Sequence, residues 1–429
     1  MWRTLIGACK RFGFLVPTRV SGNWTRLIFA VRVDIVESGR SRRVGSCLNC
    51  SKSCQHSISL DSEHFFLRFK LPVPATFKAE VQAVIRNLGK AMIAPIGVAF
   101  AVGLLGWVYQ ALKPSPPKIC GSANGPPVTS PRVKLNDGRH LAYREFGVPK
   151  EEAQCKIIMC HGYNSSKDMY LPASQEFIDE LKLYIVLYDR AGYGESDPYP
   201  ARSVKSEAFD IQELADKLHL GTKFYVIGCS MGASSVWSCL KYIPDRLLGA
   251  SLVVPFVNYW WSSVPSALSL QTFRRLPQSY QRTYRIARYT PWLYHWWMTQ
   301  KWFPTLGADG MFCDSDLEIL KRLSGCLNHE QEKVTQQGKH ESLNRDMLAI
   351  LGAKWEFDPI LDLSNPFPNN DGSVHLWSSS EDHVVPIELN RLIAEKHLWI
   401  QYHEVPDAGH LIIHDAENFE AIIRALLAR

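Results

Sequence analysis

No acidic residue occurs in the first 33 positions, whereas Arg3, Lys10, Arg11, Arg19, Arg26 and Arg32 all fall there. This Arg- and Ser-rich opening lacks a sustained apolar period, so it has little with which to offset the entropy of ordering. Its composition resembles an organelle transit peptide as much as a plain disordered extension. Residues 1–87 are accordingly expected to form a basic, largely disordered N-terminal region. Also missing is a basic stripe on a recognisable folded module, so nucleic acid is set aside as a partner despite the net charge of +6. No second ligand pair accompanies Cys47, Cys50, Cys54 and His56, which reads as a reduced, Cys-bearing tail rather than a zinc site. The remaining cysteines after residue 100, among them Cys120, Cys160, Cys229, Cys239, Cys313 and Cys326, suggest no disulfide framework. They read as buried thiols and favour a reducing compartment.

Charge is absent altogether from Ala91 to Leu112, AMIAPIGVAFAVGLLGWVYQAL, which Lys90 and Lys113 flank. About 20 apolar residues cross a bilayer core as a helix. Trp107 and Tyr109 suit the interfacial belt, and lipid tolerates Pro95 and the three glycines better than water does. A transmembrane helix is expected over 88–113. That makes a membrane, entered through residues 91–112, a partner, and the chain a single-pass membrane protein, with an organelle one candidate compartment and both compartment and topology left open. Pro114, Pro116, Pro117, Gly121, Gly125, Pro126 and Pro127 then mark 114–127 as a semi-stiff linker.

Residues 128–429 carry a different pattern. Val133–Leu135 and Leu141–Tyr143 flank Asn136-Asp137-Gly138, a hairpin signal. Short apolar strands are expected at Ile157–Met159, Tyr184–Leu187, Phe224–Ile227, Ser251–Val254, Val374–Trp377 and Ile400–Val405. Amphipathic helices are expected at Ser174–Leu181, Glu207–Leu218, Met231–Tyr242, Ile387–Lys396 and Glu417–Leu427. Continuous apolar strands interleaved with helices describe an α/β fold with a mostly parallel sheet covered on both faces. The alternation stops over about 255–346, a helical insert rich in tryptophan (Trp260, Trp261, Trp292, Trp296, Trp297, Trp302) that reads as a cap.

Gly228-Cys229-Ser230-Met231-Gly232 follows one expected strand and opens a helix. A nucleophile on so sharp a turn projects its hydroxyl above the sheet, and small neighbours relieve the crowding. Four motifs now stand in order: His161-Gly162 after a strand, Asp189-Arg190-Ala191-Gly192-Tyr193-Gly194-Glu195-Ser196, the Ser230 turn, and an acid followed by Gly409-His410 after the last two strands. Together they resemble the α/β-hydrolase superfamily of the cap-bearing, serine-nucleophile type, over roughly Val128 to the C-terminus. The resemblance implies the α/β-hydrolase fold and a catalytic triad of Ser230, Asp382 and His410. Glu381 is the alternative acid and His414 the alternative histidine. It further implies an oxyanion hole built from the backbone N–H groups of Tyr163 and Met231, with His161 and the Asp189 turn as structural supports.

The function expected is that of a serine hydrolase acting on a carboxylic ester, a lipophilic acyl ester or lipid, through an acyl-enzyme. No metal or organic cofactor is needed for it. An acyltransferase on the same triad, suggested by the spacing of His410 and Asp415, is one alternative. A non-catalytic, membrane-tethered ligand-binding protein is the other.

Overall fold

The computed structural model describes residues 75–300, 311–352 and 355–428. The sheet and the site above it lie within Lys90–Arg429. Eight strands form one sheet: β1 (Arg132–Lys134), β2 (His140–Gly147), β3 (Cys155–Cys160), β4 (Leu183–Tyr188), β5 (Phe224–Cys229), β6 (Leu247–Val253), β7 (Val374–Ser379) and β8 (Ile400–Val405). Their spatial order is β1-β2-β4-β3-β5-β6-β7-β8. The first pair is the expected hairpin, with Val133 opposite Leu141. β2 runs antiparallel to β4, and every later pairing is parallel.

Every residue of β4, β5 and β7 is buried, as a strand covered on both faces requires. Alternation along each strand divides the apolar side chains between two cores. On one face Ile158, Val186, Val226, Leu252 and Leu376 pack with helices Val204–Lys217 and Ala233–Tyr242. On the other, Ile157, Ile185, Ile227 and Val253 meet Phe419, Ile422 and Ile423 of helix Ala416–Leu427. Ser203 starts the first of these helices with a reciprocal capping box, and Asp415 caps the last through the Asn418 N–H.

The insert is helical, with Ser266–Arg275, Gln278–Tyr289, Pro291–Thr299 and Asp314–Val334. It runs on past the expected end through Arg345–Leu351 and Pro359–Asp362 before β7. Among the described cysteines Cys120, Cys160, Cys229 and Cys239 are buried free thiols. Residues 47–56 lie outside the described residues.

One N-terminal expectation needs correction. Residues 75–87, expected to be disordered, belong to a helix, Ala75–Leu112. Ala, Lys, Glu, Gln and Val fill its opening with no Gly or Pro before Gly89, a helix-forming composition. The transmembrane helix expected over 88–113 is not supported: among the described residues no helix is long and apolar enough to cross a membrane.

Candidate active site

Four strand ends converge above the sheet. In parallel α/β sheets, the loops after the carboxyl ends of the strands are where ligands bind. Here β3 leads into His161-Gly162, β5 into Ser230, β7 into Asp382 and β8 into His410. The turn at Ser230 is sharp. Ser230 has φ 53°, a left-handed conformation rare for a residue with a side chain, and the single 3-10 turn Ser230–Gly232 leads directly into helix Ala233–Tyr242. Strand and helix approach so closely that a Cβ on Gly232 would strike the carbonyl oxygens of Cys160 and His161. One on Gly228 would lie 2.6 Å from Val236 Cγ2. Gly232→Ala is therefore expected to destabilise the chain by about 1–3 kcal/mol through overpacking against backbone that cannot yield. A wild-type midpoint in urea unfolding would show that the turn has room to spare.

The structure brings Ser230, His410 and Asp382 together. The Ser230 hydroxyl lies 2.9 Å from His410 Nε2, and His410 Nδ1 lies 2.8 Å from Asp382 Oδ2. All three are buried. The other oxygen of Asp382 accepts the Val384 and Val385 N–H groups at 2.8 and 2.9 Å, so the carboxylate is aimed as well as close. This pairing defines the tautomer: Nδ1 donates to the carboxylate, and Nε2 is left to accept from the hydroxyl. Burial opposes a charge on His410, but the Asp382 carboxylate outweighs it and Asp316 adds to it, raising the pKa above the ordinary histidine value. The two loops are tied to each other by Ser379 Oγ donating to Gly409 O at 2.6 Å and Glu381 N–H donating to Ala408 O at 3.0 Å. The alternatives stand elsewhere: Glu381 is exposed, and His414 Nδ1 is 2.9 Å from the Tyr170 carbonyl oxygen.

Tyr163 and Met231 both line the cavity that Ser230 and His410 face. Met231 sits at a helix start, whose first N–H groups have no partner within the helix. The loop before Tyr163 hugs Ser230, since a Cβ on Gly162 would lie 3.2 Å from Ser230 Cβ. His161 shapes that loop. Its Nε2 accepts the Arg190 N–H at 3.1 Å, so Nδ1 carries the proton toward Gly162 O at 2.8 Å. Burial and the Arg190 charge hold its pKa well below the usual value, so it stays neutral.

The Asp189–Ser196 turn supports the same loop. Asp189 accepts the Lys167 and Glu195 N–H groups at 2.8 and 3.0 Å, with the Lys167 ammonium 3.1 Å away. Arg190 reaches further, to a buried carboxylate the sequence pattern did not single out. Asp346 takes both Arg190 nitrogens at 2.7 and 2.5 Å, Arg202 Nη2 at 2.8 Å and the Tyr193 hydroxyl at 2.7 Å. Glu207 completes the group beside both arginines. Asp316 was missed as well: it is fully buried and accepts the His410 and Leu411 N–H groups at 2.9 and 2.7 Å. No spacing signal could have found either carboxylate, because their partners lie far away in the chain.

The cavity holds about 420 Å³. Phe256, Tyr280, Tyr284, Leu320, Leu323 and Met347 supply much of its apolar wall. Phe256 and Tyr284 meet edge to face with ring centroids 6.0 Å apart. The insert does supply an aromatic lining, but from tyrosine and phenylalanine. The tryptophans described there serve elsewhere: Trp261 is buried against Trp355, and Trp292 is exposed. Among the described residues no group of three or more His, Cys, Asp or Glu side chains is placed to hold a metal ion.

Residues 157–425 match the family model described as Alpha/beta hydrolase family. No curated protein matches the chain. Similar solved structures include a thermophilic esterase from Thermogutta terrifontis, 20% identical, covering 70% of this chain and 98% of that one, with a TM-score of 0.48. The enol-lactonase from Burkholderia xenovorans LB400 is 16% identical over 70% of this chain and 100% of its own, with a TM-score of 0.47. A protein from Chitinophaga pinensis is 15% identical over 70% and 98%, with a TM-score of 0.49.

Proposed function

The chain belongs to the alpha/beta hydrolase family, and on that premise we propose that it is a serine hydrolase cleaving carboxylic esters with a lipophilic acyl group. The observation that carries the proposal is a buried hydroxyl 2.9 Å from an imidazole nitrogen whose partner nitrogen lies 2.8 Å from a carboxylate. Those distances fall within the reach needed for proton transfer.

In the proposed reaction His410 Nε2 takes the Ser230 proton as Oγ bonds to the ester carbonyl carbon. The carbonyl π electrons move to oxygen, which the Tyr163 and Met231 N–H groups receive. Asp382 holds the ring and stabilises the imidazolium. The tetrahedral centre collapses, the C–O bond to the alcohol breaks, and His410 returns the proton to the departing alkoxide. Water, deprotonated by the same nitrogen, then releases the acid and restores Ser230. Each oxyanion donor of this kind is worth about 2.7–4 kcal/mol. The apolar cavity supports a lipophilic acyl group: it falls in the ~300–1,000 Å³ range of small-molecule sites and is walled by aromatic and aliphatic side chains.

A fluorophosphonate probe tests the proposal directly. Labelling is expected in the wild type and not in Ser230→Ala, and its rate should fall as pH drops through the His410 pKa. Since that pKa is raised, the acid limb should lie above the ordinary histidine value of about 6.5. An unlabelled wild type would favour a binding protein. Transfer of the acyl group to an added alcohol faster than to water would favour the transferase.

A further inference from the structure

The loop carrying His410 leaves β8 through Asp407-Ala408-Gly409, with Asp407 at φ 52°. The loop is tied to the β7 loop at Ala408 and Gly409, yet the imidazole works only if its nitrogen stays within a fraction of an ångström of the serine hydroxyl. What holds the backbone at the histidine itself comes from the cap. Asp316 stands in the first turn of cap helix Asp314–Val334, where the helix start favours a negative charge. It has no solvent exposure. Its Oδ2 accepts the His410 N–H at 2.9 Å and its Oδ1 the Leu411 N–H at 2.7 Å. The Cys313 N–H donates to the same Oδ2 at 3.4 Å. Hydrogen bonds to an ionised acceptor are about twice as strong as neutral ones, and these are sheltered from water.

Gly409 makes the approach feasible. A Cβ there would overlap the Asp316 carboxylate and Cys313 Sγ, so the loop meets these two side chains through bare backbone. The same cap helix presents Leu320 and Leu323 to the cavity, and Leu411, whose N–H Asp316 holds, lines it too. One rigid helix therefore contacts both the substrate space and the histidine loop.

We propose that Asp316 is a positioning residue that locks the cap to the His410 loop, so that an acyl group seated against Leu320 and Leu323 steadies the general base. This rests on the triad reading given above. Asp316 touches no reacting atom and acts through the histidine backbone. Opening the cap would withdraw the carboxylate from His410 and Leu411, uncoupling the base from Ser230; closing it over substrate would restore the base. Seating the acyl group and arming the histidine would then be one event.

The test uses the full chain with Asp316→Asn and Asp316→Ala, read as ester turnover per folded enzyme. A kcat loss of about 10–100-fold is expected with KM changed by less than about threefold, as for a small misplacement of a catalytic group. The acid limb should also move to lower pH in both variants. The charged groups acting on His410 are Asp382 and Asp316, and the neighbouring His414 is neutral, so removing one carboxylate makes the imidazolium harder to form. A merely structural role would lower the folded fraction and leave the kcat of the folded enzyme in place; the limb shift follows from the lost charge alone. Unchanged kcat per folded enzyme would overturn the proposal, whether or not the limb moves.

Amide exchange in the wild type keeps it falsifiable should the variants fail to fold. The His410 and Leu411 amides should exchange at the rate of the first turns of the cap helix, and free exchange beneath a protected helix would sink the proposal. The two readings separate cleanly. A wild type that never reacts with fluorophosphonate removes the hydrolase reading, whereas a reactive wild type matched by its Asp316 variants removes only this one.

Discussion

Ser230→Ala is expected to lower kcat by about a millionfold, with His410→Ala equal to it and the double variant no worse. The reason is that the two side chains act as one device. The hydroxyl is a poor nucleophile until the imidazole 2.9 Å away accepts its proton, and that imidazole has nothing to activate once the hydroxyl is gone. Asp382→Asn should cost about ten-thousandfold: an amide can keep the position while favouring the wrong tautomer of His410. The residual rate in all these variants should stay above that in water, because the proposed Tyr163 and Met231 donors and the apolar cavity are untouched. Steady-state and single-turnover kinetics on a medium-chain acyl ester would measure this, with circular dichroism to verify folding. Additive losses, or appreciable turnover by the Ser230→Ala variant, would contradict the triad.

The second large effect is on stability. Asp346→Ala should destabilise the fold by about 3–5 kcal/mol, because it leaves Arg190 and Arg202 buried with only Glu207 to balance them. In a domain of this size that corresponds to roughly 6–15 °C in Tm. Asp346→Asn should cost less, since an amide oxygen can still accept one guanidinium.

The pH dependence has a definite sign. Burial opposes the Asp346 charge, but the two arginines overcome it and hold the carboxyl at about 2, below its ordinary 3.8. A depressed folded pKa contributes stability that is present above the unfolded value and lost as pH falls toward 2. Melting the wild type and Asp346→Asn between pH 3 and 7 should show a gap that narrows on acidification. A gap constant with pH would mean that the charge contributes nothing. Activity should suffer in step, because Arg190 also presents its N–H to His161 in the loop before Tyr163.

Much of the sheet was legible because its information is local. Helix Ile387–Lys396 and strand β8 occupy the expected residues, and the remaining strands differ from expectation only at their ends. Runs such as Leu183–Tyr188 are apolar throughout, so burial on both faces can be read without knowing what covers them. Ser230 was legible for a related reason. Small residues around a serine, set between a strand and a helix, describe a turn whose crowding any fold must relieve.

The N-terminal stretch was less legible. Helix formers before Gly89 signalled a helix that a basic, Ser-rich opening obscured, and an uncharged run did not become a supported membrane crossing. The cavity-lining residues of the cap were not legible either, because aromatic content indicates burial without saying which face of a helix meets a cavity.

From residue type and spacing alone, the chain determined its alternating strands and helices and the turn at residue 230; the order of hydroxyl, carboxylate and imidazole came with the family resemblance. Only the folded arrangement decided that Asp316 would hold the backbone of His410 and that Asp346 would neutralise Arg190 and Arg202. A strand or an elbow obeys rules acting over a few neighbouring residues. A buried charge takes whichever opposite charge three dimensions bring within about 3 Å, and no sequence period encodes that encounter.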